Sequence, residues 1–181
     1  LAGIAGSVKE MRTSNLVFAN RSESNKVYGD LDKLEMGGLY KREALEEVGY
    51  FSNRNLHAYE EADLGLKLLA QGWSLKRIKV PAVKHYGYDT TSFGAFKKRW
   101  KTRYVKGSGE FLRSSFGQKQ FFTVAWHLKI YIAVIAWWIL GITLSFTNLM
   151  GYYLMLTGIF LILFLLKKKS MQKWAFSLVS W

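Results

Sequence analysis

Cysteine is absent from the 181-residue sequence, and acidic residues are scarce. The lack of thiols excludes a disulfide-dependent secreted domain. The 13 Asp and Glu residues are outnumbered by 26 Lys and Arg residues, which gives a net charge of +13. Such a charge suits a protein at the anionic cytoplasmic surface of a membrane. It would also suit a nucleic-acid-binding protein, but zinc-finger spacing and aromatic RNA-binding motifs are missing, so we expect no nucleic-acid partner.

Charged residues are also missing from two long stretches in the last third of the chain, residues 130–146 and 149–166. At a rise of about 1.5 Å per residue, each would span roughly 26 Å as a helix, close to the thickness of a hydrocarbon core. Thr147 and Asn148 alone join the two stretches, which predicts a tight hairpin. A buried helical hairpin of a large soluble protein is the alternative.

Lysines flank this hairpin at both ends, and the positive-inside rule places such ends in the cytoplasm. They are Lys119, Lys129, Lys167, Lys168 and Lys169. We therefore predict a transmembrane hairpin within residues 120–169 and a multi-pass protein of the plasma or inner membrane. Another apolar stretch starts at Trp174 and runs to Trp181, so residues 170–181 are predicted to begin a further membrane segment.

The first 116 residues predict alternating strands and helices, and hence an α/β domain. In chain order, the predicted elements are a strand over 1–8, a polar loop through Asn25, a glycine turn at 37–38, a helix over 40–51, a helix over 60–71 and a strand over 75–83. Gly49 and Gly72 follow the two helices, where glycine commonly ends a helix. The last strand ends near Pro81, the single proline, as edge or terminal strands do.

The helix over 60–71 combines an apolar face with an acidic start. Its predicted core-facing residues are Ala62, Leu66, Leu69 and Trp73. Three carboxylates, Glu60, Glu61 and Asp63, occupy the first turn of an otherwise basic chain. They could stabilise the positive end of the helix dipole. They could also supply a catalytic base, and the sequence pattern by itself leaves both explanations open.

A basic amphipathic helix is predicted between residues 93 and 106, directly before the apolar stretches. Four aromatic residues recur there at helical spacing, with five cations around them. The aromatic residues are Phe93, Phe96, Trp100 and Tyr104, and the cations are Lys97, Lys98, Arg99, Lys101 and Arg103. Such a helix is typical of a membrane interface, and Gly107 and Gly109 are predicted to end it.

Together, these segments resemble the second half of the family 2 glycosyltransferases in order and spacing. They read GGLYKREALEEVGYF, YEEADLGLKLLAQGW and VPAVKH, followed by a basic segment with Arg99 and Trp100. The resemblance implies the C-terminal, acceptor-side part of an A-type, nucleotide-sugar-dependent fold within residues 1–116, followed by transmembrane helices. It also implies that a nucleotide-binding half with an Asp-x-Asp motif precedes Leu1, so we expect this chain to be an inactive fragment of the full enzyme.

The resemblance implies roles for the three acidic residues. Glu61 falls on the position of the general base, where aspartate is usual, and would remove the proton of the acceptor hydroxyl during an inverting transfer. Glu60 is expected to orient the site or cap the helix. Asp63 is expected to bind the acceptor or stabilise the turn.

Three further residues match positions that bind substrate or metal in relatives. His85 matches a position that contacts the metal or the donor diphosphate. Arg99 and Trp100 resemble the Gln-x-x-Arg-Trp segment of processive polysaccharide synthases, where tryptophan stacks on the acceptor sugar. Phe96 stands in place of the glutamine, which argues against a processive synthase. A tryptophan buried at the membrane interface is the alternative for Trp100.

The implied cofactor is a divalent cation, Mg²⁺ or Mn²⁺, bound mainly by the missing N-terminal half. The implied partners are a nucleotide-sugar donor, a glycan or polyprenyl-linked acceptor, and membrane lipids. We thus expect an inverting glycosyltransferase of the hexosyltransferase type, acting at the cytoplasmic membrane face to build a cell-envelope polysaccharide or related glycan. A membrane-anchored scaffold or anionic-lipid-binding module is the non-enzymatic alternative. A cation channel or transporter is a third, less favoured option, because neither apolar stretch carries the kind of ionisable residue that marks a transport pathway.

Overall fold

The computed structural model describes residues 1–12, 16–24, 26–49, 51, 53–87, 89–168 and 170–180. Four residues named in the predictions lie outside this set: Asn25, Tyr50 of the Val-Gly-Tyr-Phe motif, Lys169 and Trp181. The chain divides into two units, Leu1–Val124 and Ala125–Trp181. The functions predicted for residues 1–116, 120–169 and 170–181 remain predictions.

The first unit is built from strands and helices in mixed order. Its elements are β1 (Gly3–Glu10), α1 (Leu16–Ser24), β2 (Gly29–Leu31), β3 (Gly38–Tyr40), α2 (Arg42–Glu47), α3 (Glu60–Ala70), β4 (Leu75–His85), α4 (Ser92–Lys101), a 3₁₀ helix (Tyr104–Lys106) and α5 (Gly107–Ser115). Helix α6 (Phe121–His127) contains the boundary between the units. The helices of the second unit are α7 (Lys129–Leu144), α8 (Met150–Lys168) and α9 (Met171–Ser180).

The four strands form one mixed sheet in the order β2-β4-β1-β3. Strand β1 is parallel to β4 and antiparallel to β3, and β2 is antiparallel to β4. The α/β class predicted from the sequence is therefore confirmed. The parallel register joins Gly3 to Leu75 and Glu10 to His85, so the far ends of β1 and β4 lie side by side.

Strand β4 differs from the predicted edge strand that ends near Pro81. It pairs with β2 at Leu75–Arg77 and with β1 along its length, and it continues through Pro81 to His85. The register with β1 is irregular around Ser7, the partner of Pro81. A proline lacks an N–H donor, and an irregular pairing is where its absence disrupts the ladder least.

The core of the first unit lies between the sheet and helices α2 and α3. Its buried residues are Ala2, Ala5, Leu34, Ala44, Leu64, Leu68 and Leu75. Leu64 and Leu68 stand one turn apart on α3, so this face of the helix is the most deeply buried. Ala62 and Leu66 are buried as predicted, but Leu69 is 37 % exposed, so its assignment to the core was wrong.

Two predictions about local structure are also wrong. Residues 16–24, predicted as loop, form α1, because Phe18 is buried and the Ser92 hydroxyl accepts the N–H of Leu16 at 3.0 Å. Gly107 and Gly109 do not end the basic helix, since both lie in the first turn of α5. The break comes earlier, at Arg103, whose backbone adopts φ 61°.

In the second unit, α7 and α8 form a hairpin held by an aromatic contact. The rings of Trp137 and Tyr153 stack at 4.9 Å, and the Tyr153 hydroxyl donates to the Trp137 carbonyl at 3.2 Å. Gly141 leaves room for the Tyr153 ring, because a Cβ there would lie 2.7 Å from it. Only α8, among the described residues, is long and apolar enough by itself to cross a membrane; α6 and α7 reach that length together, with a 77° bend between them.

Candidate functional site

The acidic residues lie at the first turn of α3, as the sequence predicts for the helix itself. Tyr59 precedes the helix in the left-handed conformation, with φ 72°, and its carbonyl accepts the N–H of Asp63 at 2.8 Å. Glu60, Glu61 and Asp63 follow within one turn. The positive end of the helix dipole stabilises all three carboxylates.

Asp63 differs from the other two because it is buried and paired. Its Oδ2 atom lies 2.6 Å from the Nζ atom of Lys67, one turn later on α3. The side chain of Asp63 is 7 % exposed. A carboxylate in this setting keeps its charge satisfied within the helix, which suits a structural role.

Glu61 is exposed and Glu60 is half-buried, and within the described part of the chain neither side chain makes a hydrogen bond or an ion pair. The negative charge of Glu61 nevertheless acts on Tyr40 of β3. Burial raises the pKa of Tyr40 to about 12, and the charge of Glu61 contributes to that rise.

Tyr40 is a neighbour of the acidic turn that the sequence analysis missed. Its hydroxyl donates to the Leu34 carbonyl at 3.4 Å, and its ring meets Phe51 edge-on at 5.3 Å. The predicted glycine turn leads into β3, and Gly37 there has φ 80°. The signal available in the sequence was the aromatic residue two positions after the double glycine.

His85 ends β4 and is held by a buried carboxylate. Its Nδ1 atom lies 2.7 Å from Oε2 of Glu10, whose side chain is fully buried. Arg21 lies 3.7 Å from the other oxygen of Glu10, and the Phe18 ring meets His85 edge-on at 5.9 Å. The Nε2 atom of His85 is therefore the nitrogen that remains for a ligand. Glu10 and Arg21 were missed because nothing local in the sequence links them to His85.

Arg99 and Trp100 lie together on α4. The Arg99 guanidinium stands 5.0 Å from the centre of the Tyr104 ring. Trp100 is 66 % exposed, and its ring lies 6.3 Å from that of Phe96. An exposed indole can stack on a sugar or lie in a membrane interface.

The predicted site residues thus form three groups, on α3, at the end of β4 and on α4. In the described part of the chain, no hydrogen bond, ion pair or ring contact joins one group to another. The shared cleft between Glu61 and His85 remains a prediction. A separate pocket of about 360 Å³ opens beside the C-terminal half of α3, away from the acidic turn. It is lined by Leu66, Leu69, Ala70, Lys119, Gln120 and Thr123.

A comparison with protein-family models identifies the family of this chain. The model of the glycosyl transferase family group 2 matches residues 37–167, from the glycine turn through α3, β4 and α4 to the end of α8. The chain belongs to this family. No curated protein and no solved structure matches it. The match covers both units, whereas the resemblance seen in the sequence covered about the first 115 residues.

As a member of this family, the chain is a transferase that acts on a sugar donor and an acceptor. The chemistry needs a base for the acceptor hydroxyl, and an exposed carboxylate without an ion pair can supply it. Within the matched segment, Glu61 meets this condition, whereas Glu60 is half-buried and Asp63 is buried and paired.

A divalent cation is the cofactor implied for this glycosyltransferase, and the residues present do not compose a site for it. No group of three His, Cys, Asp or Glu side chains that could hold a metal occurs among the described residues. His85 would offer a single nitrogen, because its Nδ1 faces Glu10. We therefore assign no step of the reaction to a metal held by this chain.

Proposed function

We propose that this chain is the acceptor-side part of an inverting glycosyltransferase of the hexosyltransferase type, with Glu61 as the general base. It would move a sugar from a nucleotide-sugar donor to a glycan or polyprenyl-linked acceptor of the cell envelope. The observation that carries the proposal is the contrast between Glu61 and Asp63. Glu61 is exposed beside Tyr40 without an ion pair in the described part of the chain, whereas Asp63 is buried against Lys67.

The proposed reaction is a single displacement. The acceptor hydroxyl oxygen attacks the anomeric carbon of the donor sugar while its proton passes to the Glu61 carboxylate. The bond from that carbon to the diphosphate oxygen breaks, and its electron pair leaves with the nucleoside diphosphate. One displacement inverts the anomeric centre. Tyr40 does not compete for the proton, because its pKa of about 12 keeps the phenol protonated at neutral pH.

Other residues of the proposal bind substrate. The Nε2–H of a protonated His85 ring, with Arg21 beside the same Glu10 carboxylate, would donate to an oxygen of an anionic diphosphate. Exposed Trp100 suits stacking on an acceptor sugar, with Arg99 beside it. A divalent cation, Mg²⁺ or Mn²⁺, remains the cofactor that the resemblance implies.

The proposed location is the cytoplasmic face of the plasma or inner membrane, with a multi-pass anchor. Helix α4 supports it, because Phe93 and Trp100 are exposed together with the basic residues around them. An exposed aromatic and cationic surface of this kind binds an anionic lipid interface. The apolar helix α8 supports an anchor. The same exposed surface favours a second candidate function, a membrane-anchored scaffold that binds anionic lipid without catalysis.

The test is sugar transfer by the full-length enzyme in membranes, with the variant Glu61→Gln. Transfer should fall by about 100-fold or more, the usual scale of general-base catalysis, because the amide keeps the shape but cannot take the proton. Glu60→Gln is the matched control and should stay within a few-fold of wild type, and Glu61→Asp should retain measurable activity. Near wild-type transfer by Glu61→Gln, with a folded but inactive Glu60→Gln or Asp63→Asn, would show that Glu61 is not the base. Activity in all three would mean that these acids only cap the helix.

A further inference from the structure

The segment that delivers the acidic turn, residues 57–59, has an unusual backbone. Tyr59 adopts φ 72° directly before Glu60. A side chain other than glycine rarely takes this conformation, which costs free energy and persists where the surrounding structure holds it. The surroundings of residues 57–59 therefore determine how α3 begins.

Helix α5 holds all three residues of this segment. The backbone N–H of His57 donates to Oε2 of Glu110 at 2.9 Å, and the ring nitrogen Nδ1 of His57 lies 2.9 Å from Oε1. The Tyr59 ring stacks on Phe111 at 5.3 Å, with only 10° between the planes. Between them, Ala58 packs on Gly107 so closely that a Cβ at Gly107 would lie 2.5 Å from the Ala58 Cβ.

The electrostatics of Glu110 agree with this geometry. The backbone N–H of His57 is the largest of the contacts that hold the pKa of Glu110 below its usual range. The ionised Glu110 carboxylate is thus the hydrogen-bond acceptor for the backbone of segment 57–59. Phe111 is almost fully buried, so its ring is a fixed surface for Tyr59.

We propose that Glu110 and Phe111 are positioning residues for the candidate base, because they fix segment 57–59 and thereby set the position of Glu61 in the first turn of α3. This inference rests on the proposed role of Glu61. The rest of α3 is anchored separately, through Leu64 and Leu68 in the core. Loosening the segment should therefore displace the first turn while the helix stays folded.

The test compares two variants that release the segment with two that do not. Glu110→Ala removes both contacts to His57, and Phe111→Leu removes the stacked ring. Glu110→Gln keeps an oxygen acceptor for the His57 N–H, and Glu46→Ala removes an exposed ion pair with Arg42 on α2, away from the segment. The assay is sugar transfer by the full-length enzyme, with thermal unfolding of each variant.

Glu110→Ala and Phe111→Leu should lower kcat by about tenfold or more without changing KM for the donor, since a small displacement of a catalytic group has effects of this size. Glu110→Gln should restore most of the rate, and Glu46→Ala should match wild type. In a double variant, Glu110→Ala should add no further loss to Glu61→Gln, because it acts through that residue. Additive losses would overturn the proposal.

Titration of Tyr40 gives a readout that does not depend on activity. In protein labelled with ¹³C-tyrosine, with the signal assigned through Tyr40→Phe, Glu110→Ala should lower the pKa of Tyr40 as Glu61 moves away. An unchanged titration would overturn the positioning role, whatever happens to the rate. If Glu61→Gln were active while Glu110→Ala still shifted Tyr40, the positioning would stand and the base assignment would fail.

Discussion

Replacing Gly65 with alanine should destabilise the protein although Gly65 lies inside a helix. At an unconstrained helical position, this change stabilises by up to about 1 kcal/mol, because alanine has the higher helix propensity. Gly65 is different, because α3 crosses the segment before β3 at this residue. A Cβ at Gly65 would overlap the carbonyl oxygen of Asp32 and lie 3.0 Å from both the Asp32 carbonyl carbon and the Lys33 Cα.

The expected loss of stability follows from the kind of atom that the added Cβ would contact. All three atoms belong to the backbone, so no side chain can turn away, and α3 must move off residues 32–33. Overpacking of this sort costs about 1–3 kcal/mol, which exceeds the gain in propensity. For a chain of this size, a net loss of about 1–2 kcal/mol lowers Tm by roughly 2–8 °C. The displaced helix should also exchange its amide hydrogens faster.

Thermal unfolding of the purified full chain and hydrogen exchange of peptides covering residues 60–73 measure the two effects. Gly109→Ala is the matched control, because Gly109 also lies in a helix and a Cβ there would meet nothing within 4 Å. Gly109→Ala should keep or raise Tm. A Gly65→Ala variant as stable as Gly109→Ala, with unchanged exchange over 60–73, would refute the close crossing of α3 over residues 32–33.

Two further predictions concern pH and membrane topology. The pKa of Tyr40 is about 12 in the folded chain against roughly 10 in an unfolded one, so stability should be unaffected below about pH 10 and fall as pH rises from 10 to 12. Urea unfolding at pH 9, 10 and 11 measures how the free energy of unfolding falls with pH. The fall should be smaller in Tyr40→Phe and in Glu61→Gln than in wild type, and an equal fall in all three proteins would contradict the prediction. Because the chain has no native cysteine, Lys167→Cys and Asn148→Cys can be labelled singly in intact cells. Asn148→Cys should react from outside and Lys167→Cys only after the membrane is opened, and the reverse pattern would overturn the predicted orientation.

The elements that the sequence predicts well are those whose signals are local. Helices α2 and α3 carry an apolar face and end at glycines with positive φ, Gly49 at 81° and Gly72 at 84°. Both signals depend on residues a few positions apart, so these two helices can be predicted from the sequence. Helix α1 was missed because its support is distant: the Ser92 hydroxyl that accepts the Leu16 N–H lies 76 residues away in sequence.

The residues of the candidate site also differ in whether their signals are local in sequence. The carboxylates of α3 are adjacent in sequence, so a pattern can reveal them. The partner of His85 cannot be found in this way, because Glu10 is separated from it by 75 residues. The two meet because β1 and β4 are parallel neighbours in a register that pairs Glu10 with His85. Sheet order is a tertiary property, and it decides which distant side chains become partners.

The family match distinguishes the surroundings of the candidate base from the surroundings of His85. Glu61, Tyr40 and the segment held by α5 all lie within residues 37–167, which the family model covers. Glu10 and Arg21, which surround His85, lie before that range. The candidate base, Tyr40 and helix α5 therefore lie within the family match, although the Tyr40 hydroxyl donates to Leu34 before that range; the partners of His85 lie on β1 and α1. A change at the far end of β1, such as Glu10→Gln, should disturb the placement of the His85 ring while leaving the first turn of α3 in place, because β3 pairs with β1 at Gly3–Ala5, at the opposite end of the strand from Glu10.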